Sequence, residues 1–319
     1  MQTHIDLPKV YLSYPQSLQE ISKARRLRKV VTGLILFPLY WGMAYFIHAP
    51  GLAFRRFCAL MGIRLLLKGR DVRRAYNLIV SPMDSVRYFE FDFIWRTITK
   101  RKFRSYLDVS SPRLFPLIVV DRTPGLVATL INPDKKDLLV TTSWAKSFGL
   151  ADRCRFYGHL INDVPFEPNS FEVITSISVI EHIPEDKRAI QKMWDLLKPG
   201  GQLVISVPCA AKASEEYINL NEYELINTDE NGFVFWQRYY DENLIEQRIF
   251  SVTGKPNSFQ IYGEKQANSY NQDVERKRTD PFYPYWREPY MMGMEYELTN
   301  QISELPGMGV IAMEFVKPN

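Results

Sequence analysis

The sequence predicts an α/β domain, a seven-stranded and mostly parallel sheet with helices on both faces, carrying an apolar helical segment at its amino-terminal end. Three observations lead there. Beyond about residue 103, short apolar runs alternate with amphipathic ones, the pattern of repeated strand–helix units. Two late apolar runs, after five such units, supply an antiparallel pair that closes the sheet. Residues 30–47 then stand apart as 18 consecutive positions without a charge. With 46% hydrophobic and 24% charged residues in 319, the composition is that of an ordered globular chain, which excludes disordered and fibrous classes.

Charge is divided unevenly along the chain. Residues 1–74 hold 13 Lys/Arg against 3 Asp/Glu, a balance of +10, which leaves −6 for the remainder of the net +4. Val30 to Ile47 would form a helix of about 27 Å at ~1.5 Å per residue, close to the roughly 30 Å of a bilayer core. The basic run Lys23 to Lys29 precedes it, and Arg55, Arg56, Arg64, Lys68, Arg70, Arg73 and Arg74 follow. A simple crossing leaves its positive flank on one side, so cations on both sides favour a monotopic or re-entrant element at an anionic membrane surface. In Leu52 to Leu67, Arg55, Arg56 and Arg64 recur at near-helical spacing and are expected to snorkel. The alternatives are a true span and a buried helix of a soluble fold. A nucleic-acid partner fits poorly, because these cations alternate with Leu, Phe and Ile. The run is too long and too deep in the chain for a secretory signal. Membrane association is thus expected through residues 23–70, with residues 1–74 as one segment and 75–319 as the domain.

The elements of that domain follow in order. Residues 71–102 read as a helical lead-in with a turn at Ser81-Pro82-Met83-Asp84. Strands are expected at Ser105–Val109, Leu126–Ile131, Arg153–Tyr157, Phe171–Ile177 and Gln202–Val207. Helices fall at Asp134–Phe148, stopped by Gly149, and at Glu185–Leu197, ended by the Lys198-Pro199-Gly200-Gly201 turn. A further helix covers Asp241–Ser251, and the closing strands are Phe259–Gly263 and Val310–Val316. Cys58, Cys154 and Cys209 make no CxxC, and His4, His48, His159 and His182 make no HxH or HExxH, so no metal centre is expected. The cysteine usage fits a reducing, cytoplasmic setting.

The run Phe166 to Glu185, with Ser170-Phe171-Glu172 and Glu181-His182, followed by Leu197-Lys198-Pro199-Gly200-Gly201, resembles the class I S-adenosylmethionine-dependent methyltransferases of the small-molecule branch. The resemblance covers about residues 103–210. It implies a Rossmann-like fold, S-adenosylmethionine as cofactor, and a site at the carboxyl ends of the strands. On it, Asp108 lies near the methionine part of the cofactor, Ser110 and Ser111 stand in the cofactor loop where the family has glycines, and Ser178 follows the fourth strand. Ser111-Pro112 is expected to open the next helix as N-cap and first helical residue. Serine does not take positive φ cheaply, so a different loop path is expected at Asp108–Arg113. The acid that holds the ribose in the family is replaced by Leu130 or Asn132, with Asp134 within reach from the next helix. Leu160 stands where the adenine-side acid belongs, and Asp163 is the nearest substitute.

His182 and Glu181 are the catalytic candidates. An imidazole at the cleft rim can take a proton from a substrate hydroxyl; the plainer reading is a histidine capping the helix after Pro184. Two insertions, residues 211–240 and 264–307, bring aromatic and methionine side chains suited to covering an apolar acceptor. The expected activity is methylation of an amphipathic or lipid-like acceptor at a membrane surface. The alternatives are a methyltransferase-fold scaffold without activity and a soluble small-molecule or glycan O-methyltransferase.

Overall fold

The computed structural model describes residues 7–14, 22–69, 71–84 and 86–319; His4 and Arg70 lie outside these. Strand β1 (Lys9–Leu12) precedes four helices, α1 (Lys23–Phe46), α2 (Leu52–Leu67), α3 (Val72–Val80) and α4 (Arg87–Ile98). The strand–helix alternation follows: β2 (Ser105–Val109), α5 (Leu114–Arg122), β3 (Val127–Ile131), α6 (Lys135–Phe148), β4 (Cys154–Tyr157), β5 (Phe171–Ile177), α7 (Asp186–Leu196) and β6 (Leu197–Ala210). The first insertion folds as β7 (Ser214–Ile218) and β8 (Val234–Tyr239), and α8 (Glu242–Ile245) runs through a π-turn into α9 (Ser251–Thr253). After β9 (Ser258–Glu264) the second insertion supplies α10 (Ser269–Thr279), α11 (Glu288–Glu295) and β10 (Tyr296–Thr299), and β11 (Met308–Val316) closes the chain.

The main sheet has the order β10-β9-β11-β6-β5-β2-β3-β4. Neighbours from β6 to β4 are parallel, and β11 enters antiparallel between β6 and β9. The sheet has eight strands rather than the expected seven, because β10, inside the second insertion, adds antiparallel to the edge at β9. The glycine turn expected after α7 is instead part of β6: Leu197 pairs with Phe171 and Gln202 with Val173, so residues 198–201 bulge out of the ladder. Since β2 is flanked by β3 and β5, the crossovers diverge from β2, which opens a crevice at the carboxyl ends of β2 and β5. A second sheet, β1-β7-β8, stands apart.

Packing does not break at residue 74. Phe54, Cys58 and Met61 of α2 share one core with Phe91 of α4 and Phe115 of α5, and the Phe54 and Phe115 rings stack 5.5 Å apart. Arg55 is a correction to the snorkelling expectation: it is fully buried. Its guanidinium donates to the Ile79 (3.2 Å) and Val80 (3.0 Å) carbonyls that end α3 and lies 4.2 Å from the Trp41 ring. Arg64 pairs with Asp121 at 3.0 Å, and Arg56 faces solvent.

Helix α1 is the one described helix long and apolar enough to cross a membrane. One side docks on the fold through Gly33, where a Cβ would come within 2.3 Å of the Tyr76 hydroxyl and 3.1 Å of the Trp286 ring. The other side exposes Val31, Leu34, Ile35, Leu39, Tyr45 and Phe46. Gly33→Leu is therefore expected to overpack this contact and lower stability by about 1–3 kcal/mol. Gly42, with nothing within 4 Å, is the matched control, and thermal denaturation of both variants checks the difference.

Candidate active site

The chain leaves β5 through a sharp turn at Ser178, whose φ is 45°. Its amide donates to the carbonyl (3.1 Å) and hydroxyl (3.2 Å) of Ser206 on β6, and its hydroxyl donates to Glu90 of α4. Glu90 is wholly buried and also accepts from Ser206 Oγ (2.7 Å) and from the Arg87 guanidinium (2.6 Å). A buried carboxylate is tolerable only when paired and hydrogen-bonded, and these three donors meet that need. Arg87 and Glu90 had no part in the sequence reading. The available signal was an acid inside the aromatic run Tyr88–Ile94, but Asp92 shares that signal and instead pairs with Arg96 at 2.8 Å.

Three residues on, Glu181 and His182 sit in a short 3-10 turn. The Trp236 backbone carbonyl lies against His182 Nδ1. A carbonyl only accepts, so Nδ1 carries the proton and Nε2 holds a free lone pair. This contact, together with edge-on packing against Trp236 (4.8 Å) and Tyr223 (5.9 Å), replaces the helix-capping role considered above. Burial, opposed by the Trp236 hydrogen bond and helped by the Arg87 charge, pushes the imidazole pKa down to about 4. Glu181 is 2% exposed, and its Oε1 lies 3.9 Å from His182 Nε2. Its Oε2 has no hydrogen-bond partner, and burial lifts its pKa to about 8.

Asp108, near the end of β2, is buried. It accepts from Thr175 Oγ1 (2.7 Å), Ser111 N (3.1 Å) and Tyr106 Oη (3.2 Å), and burial raises its pKa to about 6. The loop after it departs from two expectations. Ser110 adopts the left-handed conformation after all, with φ 54°, its hydroxyl donating to the Ile131 carbonyl (3.2 Å). Ser111 is not an N-cap, since α5 begins at Leu114; its hydroxyl accepts from the Ile177 amide (3.1 Å) and ties the loop to β5.

The ribose-side candidates form a separate polar group. Asn132 donates to Asp137 (2.9 Å), which also receives Arg113, and Asp134 caps α6 by accepting from Lys136 N (2.8 Å) and Asp137 N (3.2 Å). Leu130 is buried and Leu160 exposed. Asp163 is exposed in the Ile161–Asp163 turn, whereas Asn162 Oδ1 beside it is buried without a partner.

Ser178, Glu181 and His182 line a cavity of about 530 Å³; Asp108, Asn132, Asp134 and Asp163 do not. Both insertions contribute to its walls, the first with Tyr223 and Trp236 and the second with Tyr270, Lys277 and Arg278. Buried ion pairs hold them in place. Arg238 of β8 bonds Asp186 of α7 and Glu215 of β7, each at 2.8 Å, and Tyr240 also bonds Asp186 at 2.8 Å. In the second insertion Lys277 pairs with Asp273 (2.7 Å) and Glu288 (3.0 Å).

Residues 119–205 match the methyltransferase domain family. Over these residues the chain is similar to methyltransferase domains. S-adenosylmethionine is the cofactor of that family. The ubiquinone/menaquinone biosynthesis C-methyltransferase UbiE of Brucella suis biovar 1 (strain 1330) is 27% identical over 132 residues, 39% of this chain and 49% of that protein. The sterol 4-C-methyltransferase strm-1 of Caenorhabditis elegans is 25% identical over 113 residues, 35% of this chain and 30% of that protein. The chain thus spans half or less of the length of these relatives. A geranyl diphosphate C-methyltransferase from Streptomyces coelicolor A3(2) superposes with a TM-score of 0.43 at 10% identity, over 67% of this chain and 71% of that one.

Proposed function

We propose that this methyltransferase domain transfers a methyl group from S-adenosylmethionine to oxygen or carbon of a small amphipathic acceptor, and does so at a membrane surface. The observation that carries the reading is the placement of Glu181 and His182: they follow the strand beside the topological switch point and face a cavity walled by both aromatic insertions. Two features fit the cofactor. Ser110 reproduces the glycine-like turn after β2, and the buried acceptor Asn162 Oδ1 lacks a donor that an adenine amino group would supply. The ribose side would rest on the Asn132–Asp137 group in place of the missing acid. When bound, S-adenosylmethionine supplies an electrophilic methyl on a sulfonium. The chain's own part is to orient the acceptor and to take its proton on His182 Nε2, which burial keeps unprotonated at neutral pH. The names of the relatives point to ubiquinone/menaquinone biosynthesis and to sterol methylation, and the apolar character of those compounds supports an apolar-bodied acceptor here.

Membrane association rests on α1. Its apolar stripe is exposed, and the exposed Lys23, Arg25, Arg26 and Arg28 flank it, the pairing that holds a helix at an anionic interface. Docking of the opposite side through Gly33 favours a helix lying on the bilayer over one crossing it. A second reading, a scaffold without transfer activity, is favoured by Leu130 and Leu160 standing where the family's acids belong. Calorimetric titration with S-adenosylhomocysteine separates the two: a saturable one-site isotherm is expected, and no heat at millimolar ligand on folded protein decides for the scaffold. Sedimentation with phosphatidylserine-containing vesicles tests the surface. Replacing Arg25, Arg26 and Arg28 by glutamine is expected to weaken partitioning at least tenfold, at about 1 kcal/mol per cation, and unchanged partitioning overturns the surface proposal.

A further inference from the structure

A second cavity, of about 430 Å³, lies between α1, α3 and the second insertion. Its volume is in the range of small-molecule sites, about 300–1,000 Å³. Val30, Tyr76, Met83, Trp144 and Trp286 give it apolar walls. It shares Asp84 and Tyr285 with the cavity of Glu181 and His182, so the two spaces adjoin. The exposed Arg26 also lines the second cavity. Val30, which lines it, belongs to the same turn of α1 as the exposed Val31 and Leu34, so the second cavity lies beside the apolar stripe.

We infer that the second cavity holds the apolar chain of the acceptor, whose polar reactive end lies in the first cavity beyond the Asp84–Tyr285 junction. The inference deepens the proposed function and rests on it for the identity of the reactive end. Apolar walls hold water poorly, so a hydrocarbon chain is the occupant they favour, and the neighbouring stripe lets that chain pass from a bilayer without crossing bulk water. The acceptor class is then a single-chain amphiphile with its methylated group at the polar end.

The probe is cis-parinaric acid, whose polyene fluoresces on entering an apolar site, titrated into the full chain without detergent. A saturable one-site increase is expected. Ser81→Phe and Val30→Phe both project bulk into the second cavity, since Ser81 and Val30 line it. Each is expected to weaken parinarate binding at least tenfold while leaving the S-adenosylhomocysteine isotherm unchanged. In the wild-type protein, displacement by primary alcohols should strengthen with each lengthening from hexanol to dodecanol. Equal parinarate binding in both variants, or displacement independent of chain length, overturns the inference. Loss of S-adenosylhomocysteine binding with plug-sensitive parinarate binding retained would instead sink the methyltransferase reading and keep the chain site.

Discussion

Asp108→Ala is expected to abolish S-adenosylhomocysteine binding and to lower stability by about 2–6 kcal/mol. The carboxylate is 2% exposed and is the acceptor for the Ser111 amide and for the Tyr106 and Thr175 hydroxyls. Those hydroxyls also contact each other at 2.7 Å, so alanine strands the Ser111 amide and one hydroxyl proton, each costing about 1–3 kcal/mol when buried. The same Ser111 anchors β5 through the Ile177 amide. The left-handed turn at Ser110, with φ 54°, sits between these two anchors. A non-glycine residue holds such a conformation only when its surroundings over-determine it, and removing Asp108 releases one side. Asp108→Asn keeps the shape, leaves Oδ1 to accept from Ser111 and lets the amide donate to Thr175 Oγ1. It should stay within about 1 kcal/mol of the wild type and still bind. Calorimetry and urea denaturation of the two variants check this, and normal binding by Asp108→Ala would refute the placement of the cofactor loop.

What could be read in advance follows from how local each signal is. β2 and β5 have the expected limits because each is a short apolar run bounded by turn residues. The helix Leu52–Leu67 also has its expected bounds, yet the role of Arg55 was misread: periodicity says which residues share a face, not that the carbonyl end of α3 would come to meet a guanidinium. β1 pairs with β7 across some two hundred positions of chain, a partner no local pattern names. The site divides in the same way. Glu181 and His182 belong to one contiguous motif and lie in one cavity, whereas Glu90, which fixes Ser178 and Ser206, arrives from a helix ahead of the first core strand. Serine's reluctance to take positive φ is a statement about isolated residues. At Ser110 and Ser178, hydrogen bonds to Ile131 and Ser206 offset a strain of order 1 kcal/mol.

Glu181→Gln is expected to raise thermal stability at pH 9 and to leave it nearly unchanged at pH 5. Burial lifts the Glu181 pKa from 4.5 to about 8, so the folded chain keeps a proton that the unfolded chain releases above pH 4.5. The stability this proton contributes is full below 4.5 and is lost as pH rises through 8. At about 1.36 kcal/mol per unit, the loss is on the order of several kcal/mol. Glutamine has the same shape and no charge, so its advantage grows over that window. His182 shifts the other way: with its pKa near 4 against an ordinary 6.5, its contribution is present above 6.5 and fades as pH falls through 4. The two groups meet at 3.9 Å. At that distance a full carboxylate charge favours an imidazolium by about 4 kcal/mol at an effective dielectric of ~20. Ionisation of Glu181 therefore makes His182 a stronger base. Turnover in the wild type should rise between pH 7 and pH 9, and the profile of Glu181→Gln should be flat there. A glutamine variant that keeps the alkaline rise would show that another group titrates and would remove Glu181 from the account of proton transfer.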